Sequence, residues 1–101
     1  MADIILANNS PVATITLNRP DDLNRLTPDS MALLGGMVDD IGADTAIHAV
    51  MVTGAGEEMF SAGLLNPDIR AAMSKEGVLE FVFLANRIFD ALAALPQIVI
   101  A

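Results

Sequence analysis

A Ser-Ala-Gly turn at residues 61–63 is the part of this chain whose residue types and spacing best suit chemistry. It follows an apolar run at residues 49–52, which is typical of a strand covered on both faces. Gly54 and Gly56 allow the connecting loop to bend, and Gly63 allows the backbone to approach a ligand closely. We therefore expect backbone groups of this turn to carry the chemistry, because an unpaired N–H can stabilise a developing oxyanion. From spacing alone, an ordinary glycine turn is the favoured interpretation of the same residues.

Two familiar catalytic patterns match this region less well. Residues 54–56 resemble the start of a dinucleotide-binding loop, but Met59 occupies the third glycine position and no helix is expected there. No Gly-Lys-Ser or Gly-Lys-Thr follows, which excludes a phosphate-binding P-loop. Ser61 resembles the serine of a nucleophile elbow, but the first glycine is missing and the sole histidine, His48, lies well upstream. The sequence therefore favours Ser61 as a turn residue and His48 as a residue at the start of a strand.

The charge balance argues against nucleic acid and anionic membrane surfaces as partners. Five Lys and Arg residues against 13 Asp and Glu residues give a net charge of −8, whereas nucleic acids and anionic membranes attract basic patches. The chain has no cysteine and one histidine, so we expect no metal site. The adjacent acidic pairs at residues 21–22, 39–40 and 57–58 are interpreted as solvated charges of loops and helix ends.

The apolar content is high for 101 residues. Hydrophobic residues make up 53% of the chain and the mean hydropathy is +0.54, more than a small domain can hide. We therefore expect apolar faces to be buried against a continuation of the chain, other subunits, or both. The end at residues 97–101 falls inside an expected strand, so truncation is the favoured explanation. The start lacks a secretory signal, and charged residues interrupt the apolar segment at residues 78–95, so we expect a cytoplasmic location and no membrane partner.

The strands predict an α/β fold. Strands at residues 3–6 and 12–17 are expected to form an antiparallel hairpin through a turn at residues 8–11. Further strands are predicted at residues 49–52 and 98–101. Because helices separate these later strands, parallel pairing with right-handed crossovers is expected.

The first helix has clear start and stop signals. Thr27 is a suitable N-cap, Pro28 suits the first helical position, and Gly42 is expected to close the helix. Gly35 and Gly36 in its middle would suit a close approach to the sheet. Its predicted apolar stripe consists of Met31, Leu34, Met37, Val38 and Ile41.

Two more helices are expected before the last strand. Asn66 can cap a short helix that runs to Met73, and Ser74 can cap a longer one that Pro96 ends. The long helix has the strongest periodic pattern in the chain. Its predicted apolar face consists of Val78, Phe81, Val82, Ala85, Ile88, Phe89, Leu92 and Leu95.

Several segments together resemble the N-terminal part of the crotonase superfamily, the enoyl-CoA hydratase/isomerase family. They are Ile-Thr-Leu-Asn-Arg-Pro at residues 15–20, Leu-Asn-Arg-Leu-Thr at 23–27, Ala-Val-Met-Val-Thr-Gly at 49–54 and Met-Phe-Ser-Ala-Gly at 59–63. Residues 95–101 are also similar to the strand that enters the family's second oxyanion loop. Each motif is weak alone, but their order and their spread over nearly the whole chain are specific.

The resemblance implies a crotonase-like ββα spiral core, of which residues 1–101 would be the N-terminal part of a single domain. It also implies an acyl-coenzyme A thioester substrate, no cofactor other than the coenzyme A of that substrate, and homotrimers or pairs of trimers. Two backbone N–H groups polarise the thioester carbonyl in such enzymes, and the N–H of Leu64 would be the first. The residues implied to contact the substrate are Asn24, Arg25, Leu26, Ser61, Ala62, Gly63 and Leu64.

The chain departs from the family pattern in three respects. Leu65 stands where members generally have an aspartate. Asp22 stands where a basic residue often meets the coenzyme A phosphates, although Arg25, which replaces a common small residue, could compensate. The second oxyanion donor and the acid/base carboxylates would lie beyond the equivalent of Ala101.

Two functions follow from this resemblance. The first is an acyl-CoA-processing enzyme that hydrates or isomerises an enoyl-CoA, of which the 101-residue chain alone is expected to be inactive on crotonyl-CoA. The alternative is a noncatalytic acyl-CoA-binding or assembly module, or an inactive fragment. A Gly-Gly-Gly-type loop followed by glutamates beyond Ala101 would favour the enzyme.

Overall fold

A computed structural model describes residues 2–57 and 60–101 of the chain, in which strands and helices form the predicted α/β fold. The interpretation of Glu58 as a solvated charge and the placement of Met59 at a third glycine position lie outside the described residues. The elements are β1 (Ile4–Asn9), β2 (Val12–Leu17), α1 (Pro28–Ala43), β3 (Ala49–Gly54), α2 (Pro67–Ala72), α3 (Lys75–Ala93) and β4 (Ile98–Ile100).

The four strands form one sheet in the order β1-β2-β3-β4. β1 and β2 pair antiparallel, while β2 pairs with β3 and β3 pairs with β4 in parallel, as the sequence predicts. The prediction that β1 ends at Leu6 is wrong, because Asn8 and Asn9 continue the ladder opposite β2. Only Ser10 and Pro11 remain as the turn of the hairpin.

The helices cover one face of the sheet. Ala13, Ile15 and Val50 are fully buried on this face, whereas Met51, which points to the opposite face, is 47% exposed. The prediction that residues 49–52 form a strand covered on both faces is therefore wrong, because only one face of this strand is covered. Continuous apolar sequence indicates burial, but the period-2 alternation of a strand means that each residue has its own environment.

Helix α1 begins as predicted. The Thr27 side chain accepts a hydrogen bond from the Ser30 N–H, and the Ser30 side chain accepts one from the Thr27 N–H. This reciprocal pair is a capping box. Four of the five residues in the predicted apolar stripe are buried in the protein core, and the fifth, Met37, is partly buried and packs against them. Gly42 does not close the helix, which continues to Ala43. The buried residues of this stripe are Met31, Leu34, Val38 and Ile41.

Helix α1 packs closely against α3. A Cβ atom at Gly35 would lie 3.0 Å from the Ile88 Cδ1 atom, whereas a Cβ at Gly36 would meet nothing within 4 Å. The predicted close approach of these glycines to the sheet is therefore wrong, since the close contact at Gly35 is with another helix. The small residue lets the two helix backbones approach where α3 presents Ile88.

Helices α2 and α3 begin at the predicted caps. The Asn66 side chain accepts a hydrogen bond from the Ile69 N–H, and the Ser74 side chain accepts one from the Gly77 N–H. The predicted apolar face of α3 is too wide, because Val82 is 37% exposed and Phe89 is 40% exposed. Only Phe81, Ala85 and Ile88 are buried on this helix. None of the helices in the described part of the chain is long and apolar enough to cross a membrane.

Candidate functional site

Two loops follow neighbouring parallel strands and carry all the residues that the sequence predicts for the site. The 18–27 loop follows β2 and contains a short 3-10 helix, Pro20–Asp22, which the sequence analysis missed. The 60–66 turn lies beyond the end of β3. Leu17 and Gly54, the last residues of β2 and β3, pair in the parallel ladder. Both connections therefore leave the sheet at the same edge, the one formed by the carboxyl ends of the strands. This edge is the usual position for a ligand site in an α/β sheet.

A parallel bridge between Leu26 and Leu64 joins the two loops. The Leu26 N–H donates to the Gly63 carbonyl at 2.9 Å, and the Leu65 N–H donates to the Leu26 carbonyl at 3.0 Å. In such a parallel pattern Leu26 uses both of its backbone groups towards the turn, so those of Leu64 point away from Leu26.

Three further hydrogen bonds hold the start of the turn. The Ala62 N–H donates to the Leu23 carbonyl at 2.9 Å, and the Ser61 hydroxyl donates to the Asn24 carbonyl at 2.8 Å. The Gly63 N–H donates to the Ser61 Oγ atom at 3.1 Å. The Ser61 hydroxyl therefore supports the turn, which is the role of a turn residue rather than a nucleophile.

Leu64 differs from its neighbours in the turn. The N–H groups of Ala62, Gly63 and Leu65 all have acceptors, whereas no acceptor for the Leu64 N–H lies within residues 2–57 and 60–101. Gly63 has a φ of +113°, and the space beside its Cα is open. Glycine adopts this conformation at low cost, so the turn can present the next N–H outwards.

An apolar cavity of about 380 Å³ lies beside the turn. The sheet, α1 and α3 all contribute to its wall, which explains why Phe89 is not packed into the core. Because the wall is almost entirely hydrocarbon, a donor at its surface would interact with an oxygen more strongly than in water. The lining residues are Leu17, Leu26, Leu34, Val52, Phe60, Ser61, Gly63, Leu64, Phe89, Leu92, Val99 and Ala101.

Asn24 is buried between the two loops. It is 1% exposed and has a φ of +55°, a left-handed conformation that asparagine tolerates better than most residues. Its Nδ2 atom donates to the Ala55 carbonyl at 2.9 Å, and its Oδ1 atom accepts from the Arg19 N–H at 2.9 Å. Gly54 is needed beside it, since a Cβ there would collide with the Phe60 carbonyl oxygen. Asn24 thus fixes the 18–27 loop to the end of β3.

Arg25 does not extend into solvent as a free cation. Its Nη1 atom donates to the Asp22 Oδ1 atom at 3.1 Å, while its carbonyl accepts from the Arg19 Nη1 atom at 2.6 Å. Most backbone polar groups of Asn24, Arg25 and Leu26 are likewise bonded within the two loops. What these residues offer a ligand is therefore mainly shape and the remaining donors of the guanidinium.

Asp22 accepts hydrogen bonds from both loops and is not the solvated charge that the sequence predicts. Its Oδ2 atom accepts from Arg19 Nη1 at 3.1 Å and from Asn66 Nδ2 at 3.3 Å. Partial burial acts to raise the pKa of this carboxyl, but hydrogen bonds from Arg25, Asn66 and Arg19 together outweigh it and lower the pKa below its ordinary value. The sequence predicts Asn66 only as a helix cap and does not indicate its hydrogen bond to Asp22. Its partner lies 44 positions away, and no local signal indicates that pairing.

Side chains that could act as a metal site are not grouped in the described part of the chain, where no three His, Cys, Asp or Glu residues come together. His48 lies elsewhere, lining a separate hollow with Gly42, Asp44 and Gln97. The 60–66 turn itself places the backbone of Leu64 beside the apolar cavity.

Comparison with known proteins identifies the family of this chain. A family model for enoyl-CoA hydratase/isomerase matches residues 12–101. The chain therefore belongs to the enoyl-CoA hydratase/isomerase family, within the crotonase superfamily, and the predicted resemblance is confirmed.

Individual relatives match nearly all of this chain. The short-chain-enoyl-CoA hydratase of Clostridium acetobutylicum is 35% identical over 99 residues, covering 98% of this chain and 38% of that protein. The crotonyl-CoA hydratase of Syntrophomonas wolfei is 28% identical over 98% of this chain and 38% of its own length. The crystal structure of an enoyl-CoA hydratase from Bacillus anthracis superimposes with a TM-score of 0.91 at 29% identity, over 97% of this chain and 38% of that one. The chain thus spans about 38% of the length of these relatives.

Proposed function

We propose that this chain is the N-terminal part of an acyl-CoA-processing enzyme of the hydratase/isomerase type. In this proposal the Leu64 N–H donates a hydrogen bond to the thioester carbonyl oxygen of an enoyl-CoA and stabilises the enolate that forms there. The single observation that carries it is the Leu64 N–H, which points away from its bridge partner and has no acceptor among the described residues. A preorganised donor of this kind costs no reorganisation when charge develops on the oxygen.

The coenzyme A part of the substrate is proposed to run along the two docked loops. Ala62 and Gly63 are exposed there, whereas Asn24 and Leu26 are buried and Arg25 is partly exposed. We propose that the backbone of Asn24, Arg25 and Leu26 lines the opposite side. Since Asp22 already binds Arg25, we expect that guanidinium to attract the coenzyme phosphates less strongly than a free cation would. Coenzyme A is part of the substrate here, and the proposal needs no separate cofactor.

The rest of the reaction is assigned to parts of the protein outside this chain. Because the chain spans about 38% of its relatives, we propose that a second N–H donor and the acid/base carboxylates come from the remainder of the fold. The 101-residue polypeptide alone is then expected not to hydrate crotonyl-CoA. A trimeric assembly in the cytoplasm completes this proposal.

The test is removal of one backbone N–H from the protein as its gene encodes it, after its intact mass has been measured. Replacing Leu64 by its α-hydroxy acid, through expressed protein ligation, turns the amide into an ester and leaves the side chain unchanged. Hydration of crotonyl-CoA, followed by loss of the enoyl thioester absorbance, should fall about 100- to 1,000-fold in kcat.

A matched variant separates the N–H from the side chain. Leu64→Ala keeps the donor and shortens the apolar wall, so its loss of kcat should be much smaller than that of the ester. Equal losses in both proteins would count against the backbone role. If the encoded protein binds crotonyl-CoA in calorimetry but never turns it over, the noncatalytic binding module replaces this proposal.

A further inference from the structure

The carboxylate of Asp22 joins both sides of the site through one side chain. Its Oδ1 atom accepts from Arg25, and its Oδ2 atom accepts from Arg19 and from Asn66. Two of these donors belong to the 18–27 loop, whereas Asn66 belongs to the 60–66 turn. Since the two guanidinium groups hold Asp22 in place, Asn66 is attached to an acceptor that is itself fixed.

Asn66 is held at both ends of its amide group. Its Oδ1 atom accepts the Ile69 N–H at 2.9 Å and so caps α2, while its Nδ2 atom reaches Asp22 at 3.3 Å. The residue lies two positions after Leu64. The side chain therefore links the start of α2, the end of the turn and the opposite loop.

The remaining contacts place Leu64 between two sets of ties. Before it, the Ala62 N–H and the Ser61 hydroxyl bind the 18–27 loop. After it, the Leu65 N–H binds the Leu26 carbonyl, and the Asn66 side chain binds Asp22. Of the side-chain hydrogen bonds between the loops, the one from Asn66 is on the downstream side. Leu64 therefore lies between hydrogen bonds that join the turn to the 18–27 loop on both of its sides.

We propose that Asp22 is a positioning residue that acts through Asn66 to hold the Leu64 N–H in its direction. This role rests on the proposed function of Leu64, and neither Asp22 nor Asn66 touches the reacting atoms. The residue between Leu64 and Asn66 supports this role, because Leu65 is apolar and buried and offers no polar side chain to the opposite loop. The side-chain hydrogen bond to the opposite loop after Leu64 is therefore the one from Asn66 to Asp22.

The test uses the encoded protein with three substitutions. Asp22→Asn removes the carboxylate, and Asn66→Ser retains an N-capping hydroxyl for α2 but is too short to reach Asp22. Asp21→Asn is the matched control, since it removes the same charge from an exposed neighbour outside the network. Turnover of crotonyl-CoA is measured for each variant and for the Asp22→Asn/Asn66→Ser double variant.

The expected result is a decrease in kcat of about tenfold for Asp22→Asn and for Asn66→Ser, with KM changed by less than about threefold, because a misdirected donor costs transition-state binding. The double variant should lose no more than the larger single effect, since both substitutions break the same tie. A merely structural role would not produce this split between kcat and KM. Unchanged kcat in both variants of an active protein would overturn the positioning role and leave the proposed function intact.

A second measurement decides the matter if the unsubstituted protein does not turn over crotonyl-CoA, which would count against the proposed function itself. Amide hydrogen exchange at Ala62 and Leu65 reports whether the turn stays docked, and Val50 in the central strand reports global opening. Exchange at Leu65 should accelerate in Asp22→Asn and Asn66→Ser by more than at Val50, and not in Asp21→Asn. Equal changes at Leu65 and Val50 would overturn the proposed role of Asp22.

Discussion

Asn24 shows how one buried polar side chain can determine the geometry of two loops. Its amide satisfies the Arg19 N–H and the Ala55 carbonyl, and its own carbonyl accepts the Ser61 hydroxyl. These bonds connect the loop after β2, the end of β3 and the turn that carries Leu64. In a left-handed conformation with little room beside it, few other residues can make the same set of contacts.

Replacing Asn24 should therefore be costly in two separable ways. Asn24→Ala leaves the Arg19 N–H and the Ala55 carbonyl without their partner and places a Cβ-bearing residue without a compensating bond at a φ of +55°. We expect a loss of about 3–4 kcal/mol in the free energy of unfolding, measured by urea denaturation. Asn24→Gly loses the same bonds but tolerates the backbone conformation, so it should lose about 1 kcal/mol less. Equal losses in the two variants would show that the left-handed backbone contributes nothing.

The lowered pKa of Asp22 predicts a specific dependence of stability on pH. Because the pKa in the folded state lies below the ordinary value of 3.8, the ionised carboxylate stabilises the fold above that pH. This contribution is lost as the pH falls through the folded-state pKa. The difference in unfolding free energy between the natural protein and Asp22→Asn should thus be largest near neutral pH and shrink below about pH 4. Denaturation of both proteins at a series of pH values measures it, with Asp21→Asn as the comparison. A difference that does not vary with pH would contradict the role of the ionised group.

Sequence could indicate part of this site and not the rest. The glycine turn is visible in a short, continuous segment, and the family resemblance implies Leu64 and Asn24 as candidates through segments of the same kind. The network around Asp22 does not, because adjacent acidic residues are usually solvated and the decisive partner, Asn66, is distant in sequence. Long-range hydrogen bonds between irregular loops leave no periodic trace in the sequence.

At the level of elements, local signals were sufficient where a cap fixed a helix start. Thr27, Asn66 and Ser74 each cap the helix that sequence predicts for them. The signals failed where packing decides the outcome, as at the exposed half of the predicted α3 face. Phe89 fits the helical stripe, but it lines the cavity because no described element covers it.

The two central glycines of α1 provide a matched pair for testing how α1 packs on α3. Gly36→Ala adds a methyl group into open space and should raise the free energy of unfolding by about 0.5–1 kcal/mol through helix propensity alone. Gly35→Ala gains the same propensity, but its Cβ would lie 3.0 Å from Ile88 Cδ1, so that side chain must shift. We expect Gly35→Ala to be less stable than Gly36→Ala in parallel denaturation experiments. Equal stabilisation would mean that α3 adjusts at no cost.

On the scale of the whole molecule, the high mean hydropathy of the chain is partly explained by the face of the sheet opposite the helices, which carries exposed apolar side chains. Met51 and Ile100 are paired across β3 and β4, and they are 47% and 53% exposed. Ile98 and Ile5 on the same face are also exposed. Composition predicts an excess of apolar surface, but only the register of the strands shows that much of it lies on one face.

This face leads to a prediction for the 101-residue polypeptide expressed alone. Because β4 is an edge strand with an apolar outer face, the polypeptide should self-associate as its concentration rises, measured by sedimentation velocity. Ile98→Lys with Ile100→Lys should reduce this association, since lysine on an edge strand opposes pairing with a second chain. Both side chains point away from the helices, so the unfolding free energy should change by less than about 1 kcal/mol. Thr53→Lys, on the same face of β3 but outside the apolar group, is the control for added charge. If it reduces association as much as the double substitution, net charge rather than the apolar face controls the assembly.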